Sequence, residues 1–181
     1  DFELSPKSFF QINRPQAERL YAEALKAAAL TGHETVVDAY CGAGAISLVL
    51  ARGAKKVIGI EIVPEAIRDA RAGARRNGLT DRTEFIEGDA PAVMARLARS
   101  GMKPDVLVVD PPRKGLDEAL IQAALAMRPE RIVYVSCNPA TLARDVRALL
   151  ASGEYRLNQV QPVDMFCWTE HIETVVLMSR K

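Results

Sequence analysis

Long hydrophobic runs are missing from this chain of 181 residues, and no apolar stretch approaches the roughly 18 residues that a membrane-crossing helix needs. The opening residues, Asp1-Phe-Glu-Leu-Ser-Pro6, do not read as a signal peptide. Cysteine is scarce too. Cys41, Cys137 and Cys167 are odd in number and far apart, with no CxxC pair and no Cys/His cluster at metal-ligand spacing. That pattern argues for a reducing compartment and against a metal or iron–sulfur site in this segment. The expectation is a cytoplasmic protein with no membrane partner. An excess of one charge is also lacking: the formal net charge is +1, so bulk electrostatics neither support nor exclude RNA. There is no internal repeat, no low-complexity linker and no initiating methionine, and Asp1 to Phe10 reads as the start of a folded element, as in a domain cut from something longer.

What is present is a core. With 49% hydrophobic residues the chain can bury one good core but is short for two domains. A single, monomeric α/β domain is expected. Apolar, β-branched runs recur at Thr35–Ala39, Lys56–Ile62, Thr83–Ile86, Asp105–Val109 and Arg131–Val135, separated by stretches of helical periodicity. This alternation predicts a mostly parallel, doubly wound sheet with helices on both faces. Tyr155–Val163 and Ile172–Met178 then follow with no helix between them, which predicts an antiparallel hairpin at the sheet's edge. Ahead of the first strand, Asn13 can cap a helix over Arg14–Ala29, expected to lie as a lid or wall across the ligand edge. The layout is a helical lead-in over 1–33, a βα core over 34–154 and a terminal hairpin over 155–181.

The most informative segment is Arg131-Ile-Val-Tyr-Val-Ser-Cys-Asn-Pro-Ala140. Cys137 sits between a buried strand and a helix whose cap is Asn138 and whose first residue is Pro139. A helix amino terminus favours the thiolate, so Cys137 is expected to be an acidified nucleophile. The carboxyl ends of such strands are also where open α/β sheets bind ligands.

Other strand ends carry further chemistry. Asp38-Ala-Tyr-Cys-Gly-Ala-Gly-Ala45 brings Gly42 and Gly44 close to a ligand ahead of a helix, and about 20 residues later Glu61 is placed to take both ribose hydroxyls of an adenosine. The pair suits either a nicotinamide cofactor or S-adenosylmethionine. Ser47 stands where the third glycine of a dinucleotide fingerprint belongs, which weakens the first reading. Asp89 can reach an adenine amino group or cap the following helix. Asp110-Pro-Pro-Arg-Lys-Gly115 is a rigid turn that holds Asp110 in one orientation, with Arg113 where amine methyltransferases commonly carry a stacking aromatic. In the late segment, Glu173 and His171 share a side of an emerging strand near Cys137. Glu173 is placed as a proton acceptor, and His171 suits a structural hydrogen bond. Phe9, Phe10, Phe166 and Trp168 are available to stack on a base, and Lys7, Arg113, Lys114, Arg144 and Arg147 to meet phosphates.

Ser8–Asn13, Asp38–Gly44, Asp110–Gly115, Ser136–Asp145 and Gln161–Glu173 together resemble the RNA uracil-C5 methyltransferases, which make 5-methyluridine in transfer and ribosomal RNA. The resemblance runs in order through nearly the whole chain. It implies a Rossmann-like class I methyltransferase fold, S-adenosylmethionine as cofactor and ribosomal or transfer RNA as partner. It also implies Cys137 as nucleophile, Glu173 as base, and Gln11, Tyr40, Glu61, Asp110 and, more weakly, Asp89 as cofactor contacts, beside the glycines Gly42 and Gly44. Two departures stand out. The family usually has proline after Met-Phe in the late motif, where this chain has Cys167, and it usually carries an amino-terminal oligonucleotide-binding domain absent here. Alternative readings are a cofactor-binding fragment inactive without that domain, and a Rossmann-fold oxidoreductase.

Overall fold

Valine and isoleucine at successive strand positions leave no polar face, so the strands they form must be covered on both sides. The computed structural model describes residues 13–165, 168–169 and 172–181 and shows this arrangement. The parallel strands are β1 (Thr35–Ala39), β2 (Lys56–Glu61), β3 (Thr83–Glu87), β4 (Val106–Val109) and β5 (Arg131–Ser136), followed by β6 (Tyr155–Val163) and β7 (Glu173–Arg180). Their order across the sheet is β3-β2-β1-β4-β5-β7-β6. The expected runs match these strands to within a residue or two. The hairpin is antiparallel, as expected, with β7 paired to β5 and β6 left at the edge. The β6–β7 register slips between Leu157 and Gln159, where one strand carries an extra residue.

Alternation along each strand sends side chains to two cores. On one face Val36, Val57, Val106, Val108, Val133 and Val175 pack under α1 (Arg14–Ala28), α2 (Ala45–Leu50) and α3 (Pro64–Arg76). On the other, Val37, Ile58, Leu107, Ile132 and Val176 pack under α4 (Ala90–Arg99), α5 (Glu118–Met127) and α6 (Pro139–Ala151). Each such side chain stabilises the fold by about 1.5–3 kcal/mol relative to exposure.

Helix starts follow the expected chemistry. The Asn13 side chain accepts from Gln16 N at 3.4 Å and donates to the Met165 carbonyl at 2.9 Å, tying α1 to the end of β6. α1 packs over β5, β6 and β7, and its Tyr21 reaches the cleft, so it forms a wall. The Asn138 side chain caps α6 through Ala140 N at 3.0 Å. Because the chain crosses to opposite faces on either side of β1 and β4, their carboxyl ends part and open a crevice, the usual ligand position in such sheets. No described helix is long and apolar enough to cross a membrane.

Candidate active site

A cleft of about 800 Å³ lies along this edge and is lined by Tyr40, Gly42, Glu61, Asp89, Asp110, Cys137 and Glu173. Those sequence-predicted residues converge on one site. After β1 the chain turns through left-handed backbone at Tyr40 (φ 68°) and Gly42 (φ 54°), and nothing lies within 4 Å of where a Gly42 Cβ would sit. That space is open to a ligand. Gly44 serves packing instead, since a Cβ there would come within 2.9 Å of Ala70 Cβ; this glycine lets α3 approach closely and does not line the cleft.

At the end of β2 the Glu61 carboxylate accepts from Gly42 N at 3.0 Å and from Val63 N at 2.9 Å. Each oxygen keeps a lone pair for a ligand hydroxyl. Asp89 accepts from Ala92 N at 3.4 Å as the cap of α4 and also lines the cleft, so both expected roles fit its place.

Asp38 was not among the expected site residues. It is fully buried on β1, one carboxylate oxygen accepts from the Ser47 hydroxyl, and the other has no partner although it borders the cleft. Burial pushes its pKa up to about 7 against the opposing Ser47 bond, with Glu61 adding to the rise. The Tyr40 hydroxyl is likewise buried without a partner. An unpaired buried carboxylate is costly unless a ligand completes it. The signal was present in the sequence as a charged residue inside an apolar strand run.

The other end of the cleft holds the chemistry expected of Cys137. Pairing of Ser136 with Thr174 brings the residue after β5 beside the first residue of β7, so Cys137 and Glu173 meet through sheet register. Glu173 is buried, at 6% exposure. Arg113, from the loop after β4, lies beside Cys137 and close enough to Glu173 to oppose the rise in pKa of both. The expectation that the α6 terminus acidifies Cys137 is overturned. Loss of water, then Glu173 and Asp110, push the thiol above its ordinary value, and Arg113 only partly counters them. At the helix start the Asn138 N–H donates to the Ser136 hydroxyl and the Ala140 N–H to the Asn138 side chain, which leaves less for sulfur.

Burial also raises Glu173, with Arg113 opposing, and raises Asp110 to about 8, with Glu173 and Asp38 contributing. Five carboxyl groups, Asp38, Glu61, Asp89, Asp110 and Glu173, thus face one cleft with Arg113 and Lys114 as the cations, and a bound cation would favour ionisation of Asp38 and Asp110. Such a wall suits a cationic ligand bearing hydroxyl and amino groups and repels a pyrophosphate. The donor set fits S-adenosylmethionine and fits a nicotinamide dinucleotide poorly.

Arg113 was expected at phosphates and faces Cys137 instead. Lys114 is paired with Asp117 at 3.2 Å, and Arg144 with buried Asp145 at 2.7 Å. Arg147 and Trp168 are exposed. The expected contacts Lys7, Phe9, Phe10, Gln11, Phe166 and His171, and the departure at Cys167, lie outside the described residues. Among the described residues no three His, Cys, Asp or Glu side chains group as a metal site would.

Comparison with known proteins adds to this geometry. Residues 93–181 match the family described as tRNA (Uracil-5-)-methyltransferase, and residues 33–120 match RNA cap guanine-N2 methyltransferase. A Halalkalibacterium halodurans protein named an uncharacterized RNA methyltransferase is 57% identical over 180 residues, covering 99% of this chain and 39% of that protein. A Bacillus cereus protein of the same description is 55% identical over 179 residues, covering 99% of this chain and 38% of its own length. The chain therefore spans about two fifths of the length of these relatives. The crystal structure of a Pyrococcus abyssi tRNA (uracil-54, C5)-methyltransferase in complex with S-adenosyl-L-homocysteine superposes with a TM-score of 0.84 at 34% identity, covering 98% of this chain and 42% of that one.

Proposed function

Since the chain belongs to the RNA uracil-C5 methyltransferase family through its matched carboxyl-terminal half, we propose that it methylates carbon 5 of a uridine in transfer or ribosomal RNA with S-adenosylmethionine as donor. The observation that carries this reading is the meeting of Cys137 with Glu173 across the Ser136–Thr174 pair, at one end of an acidic cleft.

Glu61 would hold the ribose hydroxyls, Asp89 the adenine amino group, and Asp38, Tyr40 and Asp110 the amino-acid and sulfonium end, so that Asp38 and Tyr40 gain the partners they lack. The bound cofactor supplies an electrophilic methyl group. Carbon 5 of uracil is a weak nucleophile. Addition of the Cys137 thiolate to carbon 6 forms an S–C bond and moves the ring's electron pair to carbon 5 as an enolate. Arg113, whose positive charge lies beside the sulfur, favours the thiolate. Once carbon 5 carries the methyl group, Glu173 takes its proton, the ring double bond re-forms and the thiolate leaves. A base of this kind contributes roughly 10²–10⁴-fold. The target base must be splayed out of its stack to reach the thiol.

The test is a covalent trap. RNA containing 5-fluorouridine should form an adduct with Cys137, because fluorine at carbon 5 cannot leave as a proton does. Cys137→Ala should form none and transfer no tritiated methyl to RNA lacking the modification; methylation by that variant would end the proposal. Glu173→Gln should accumulate the adduct with ordinary RNA, and normal turnover by it would remove Glu173 from the role.

A further inference from the structure

The segment Ser136–Asp145 delivers more than a cysteine. Asp145, near the middle of α6, is only 1% exposed, yet it is a carboxylate and it does not line the cleft. Its Oδ2 accepts from Leu116 N at 2.7 Å and from the Tyr134 hydroxyl at 2.7 Å, while Oδ1 accepts from Arg144 Nε at 2.7 Å. Arg144 in turn donates to the Lys114 carbonyl at 2.9 Å, and Thr141 Oγ1 and Asn138 Nδ2 donate to the Arg113 carbonyl at 3.2 and 3.1 Å. The backbone of residues 113–116 is therefore gripped by the first two turns of α6. Gly115 is shaped to the grip: at φ 79°, any Cβ there would strike Asp145 Oδ2 and the Arg144 guanidinium. Such a charged, fully bonded group is expensive to bury, and the loop it holds carries Arg113.

We propose that Asp145 is a positioning residue acting on Cys137 through Arg113: it locks the loop after β4 to α6, so that the guanidinium stays against the thiol that α6 itself presents. The groups facing Cys137 are then set from three sides. Arg113 and Asp110 come from the clamped loop, Glu173 from β7, and Tyr21 of α1 borders the same cleft close enough to feel Asp110 and Glu173. The clamp gives a reason for the joint occurrence of Asp110–Gly115 and Ser136–Asp145, which no local property of either segment supplies.

The purpose of the clamp rests on Cys137 being the nucleophile, whereas its test does not. Alkylation of Cys137 by iodoacetamide, followed against pH in the full chain and resolved from Cys41 and Cys167 by peptide mass spectrometry, reads the thiol alone. Arg113→Gln should move the midpoint up by about one pH unit, the size expected for loss of a neighbouring cation. Asp145→Asn should move it comparably while binding of S-adenosyl-L-homocysteine persists, and the double variant should shift no further than Arg113→Gln alone. An unshifted Asp145→Asn midpoint, additive shifts in the double variant, or a shift accompanied by loss of cofactor-product binding would each overturn the clamp. If Asp145→Asn does not accumulate folded, Thr141→Val, which removes the hydroxyl bonded to the Arg113 and Asn138 carbonyls, carries the same measurement with the same outcomes. A chain showing these shifts but forming no adduct with 5-fluorouridine RNA would sink the uridine mechanism and leave the clamp standing.

Discussion

Asp110 holds its proton at neutral pH, because withdrawal from water, with Glu173 and Asp38 nearby, raises its pKa from 3.8 to about 8. A sulfonium placed against it would favour the ionised form, so binding of S-adenosylmethionine should tighten as pH rises from about 6 to 9 and should release protons. S-adenosyl-L-homocysteine has no sulfonium charge and should show a flatter profile. Calorimetry of both ligands in buffers of different ionisation enthalpy checks this, and identical pH dependence would refute it. Stability follows with a definite sign. A carboxyl whose folded pKa lies above its unfolded one takes up a proton on folding, so it costs stability increasingly as pH rises from 3.8 towards about 8. Asp110→Asn should therefore raise the melting temperature at pH 8 and leave it nearly unchanged at pH 4, while weakening cofactor binding. At this scale legibility was mixed. That Glu61 and Asp89 line the cleft was legible because both carboxylates follow strand ends at the sheet's ligand edge. The direction of the Cys137 shift was missed, because a helix-terminus argument uses neighbours in sequence and cannot weigh Glu173 and Asp110, which only the sheet brings close.

Two glycines of one turn separate ligand approach from element packing. Gly44 at φ 82° lies against Ala70 of α3 and Phe85 of β3, so Gly44→Ala combines left-handed strain with a collision and should cost about 2–3 kcal/mol, read as a lower denaturation midpoint. Gly42 at φ 54° has open space before it, so Gly42→Ala should cost only about 1 kcal/mol of stability but weaken S-adenosylmethionine binding, because the added methyl occupies the ligand's side of the turn. Equal effects of both on stability and on binding would show that the turn acts as one unit. The sequence motif could not separate these two roles, since both glycines follow the same strand and differ only in what the folded chain places opposite them. The strands themselves were legible almost to the residue, because runs such as Lys56-Val-Ile-Gly-Ile-Glu61 pack on both faces and admit little else. The insertion of β7 between β5 and β6 was not, since hairpin signals specify that β6 and β7 pair but not which of them joins β5.

For the molecule as a whole, charge sets how RNA would be held if the proposed function is right. The net charge is +1, and the described cations nearest the cleft are already engaged: Lys114 with Asp117, Arg144 with Asp145, and Arg113 with the Cys137 sulfur. The cleft itself is acidic, which attracts a cationic cofactor and discourages a phosphate from entering. Under the proposed function, recognition would then rest on the splayed base in the pocket, with phosphates met at the rim. Each phosphate neutralised adds about −0.7 to −0.9 to the slope of log affinity against log salt, so two or three contacts give a slope no steeper than about −3. Fluorescence anisotropy with a uridine-containing stem-loop between low and physiological salt measures it. A slope of about −6 or steeper would reveal a basic surface that the paired Lys114 and Arg144 do not account for, and would move the source of RNA affinity from the flipped base to the phosphate backbone.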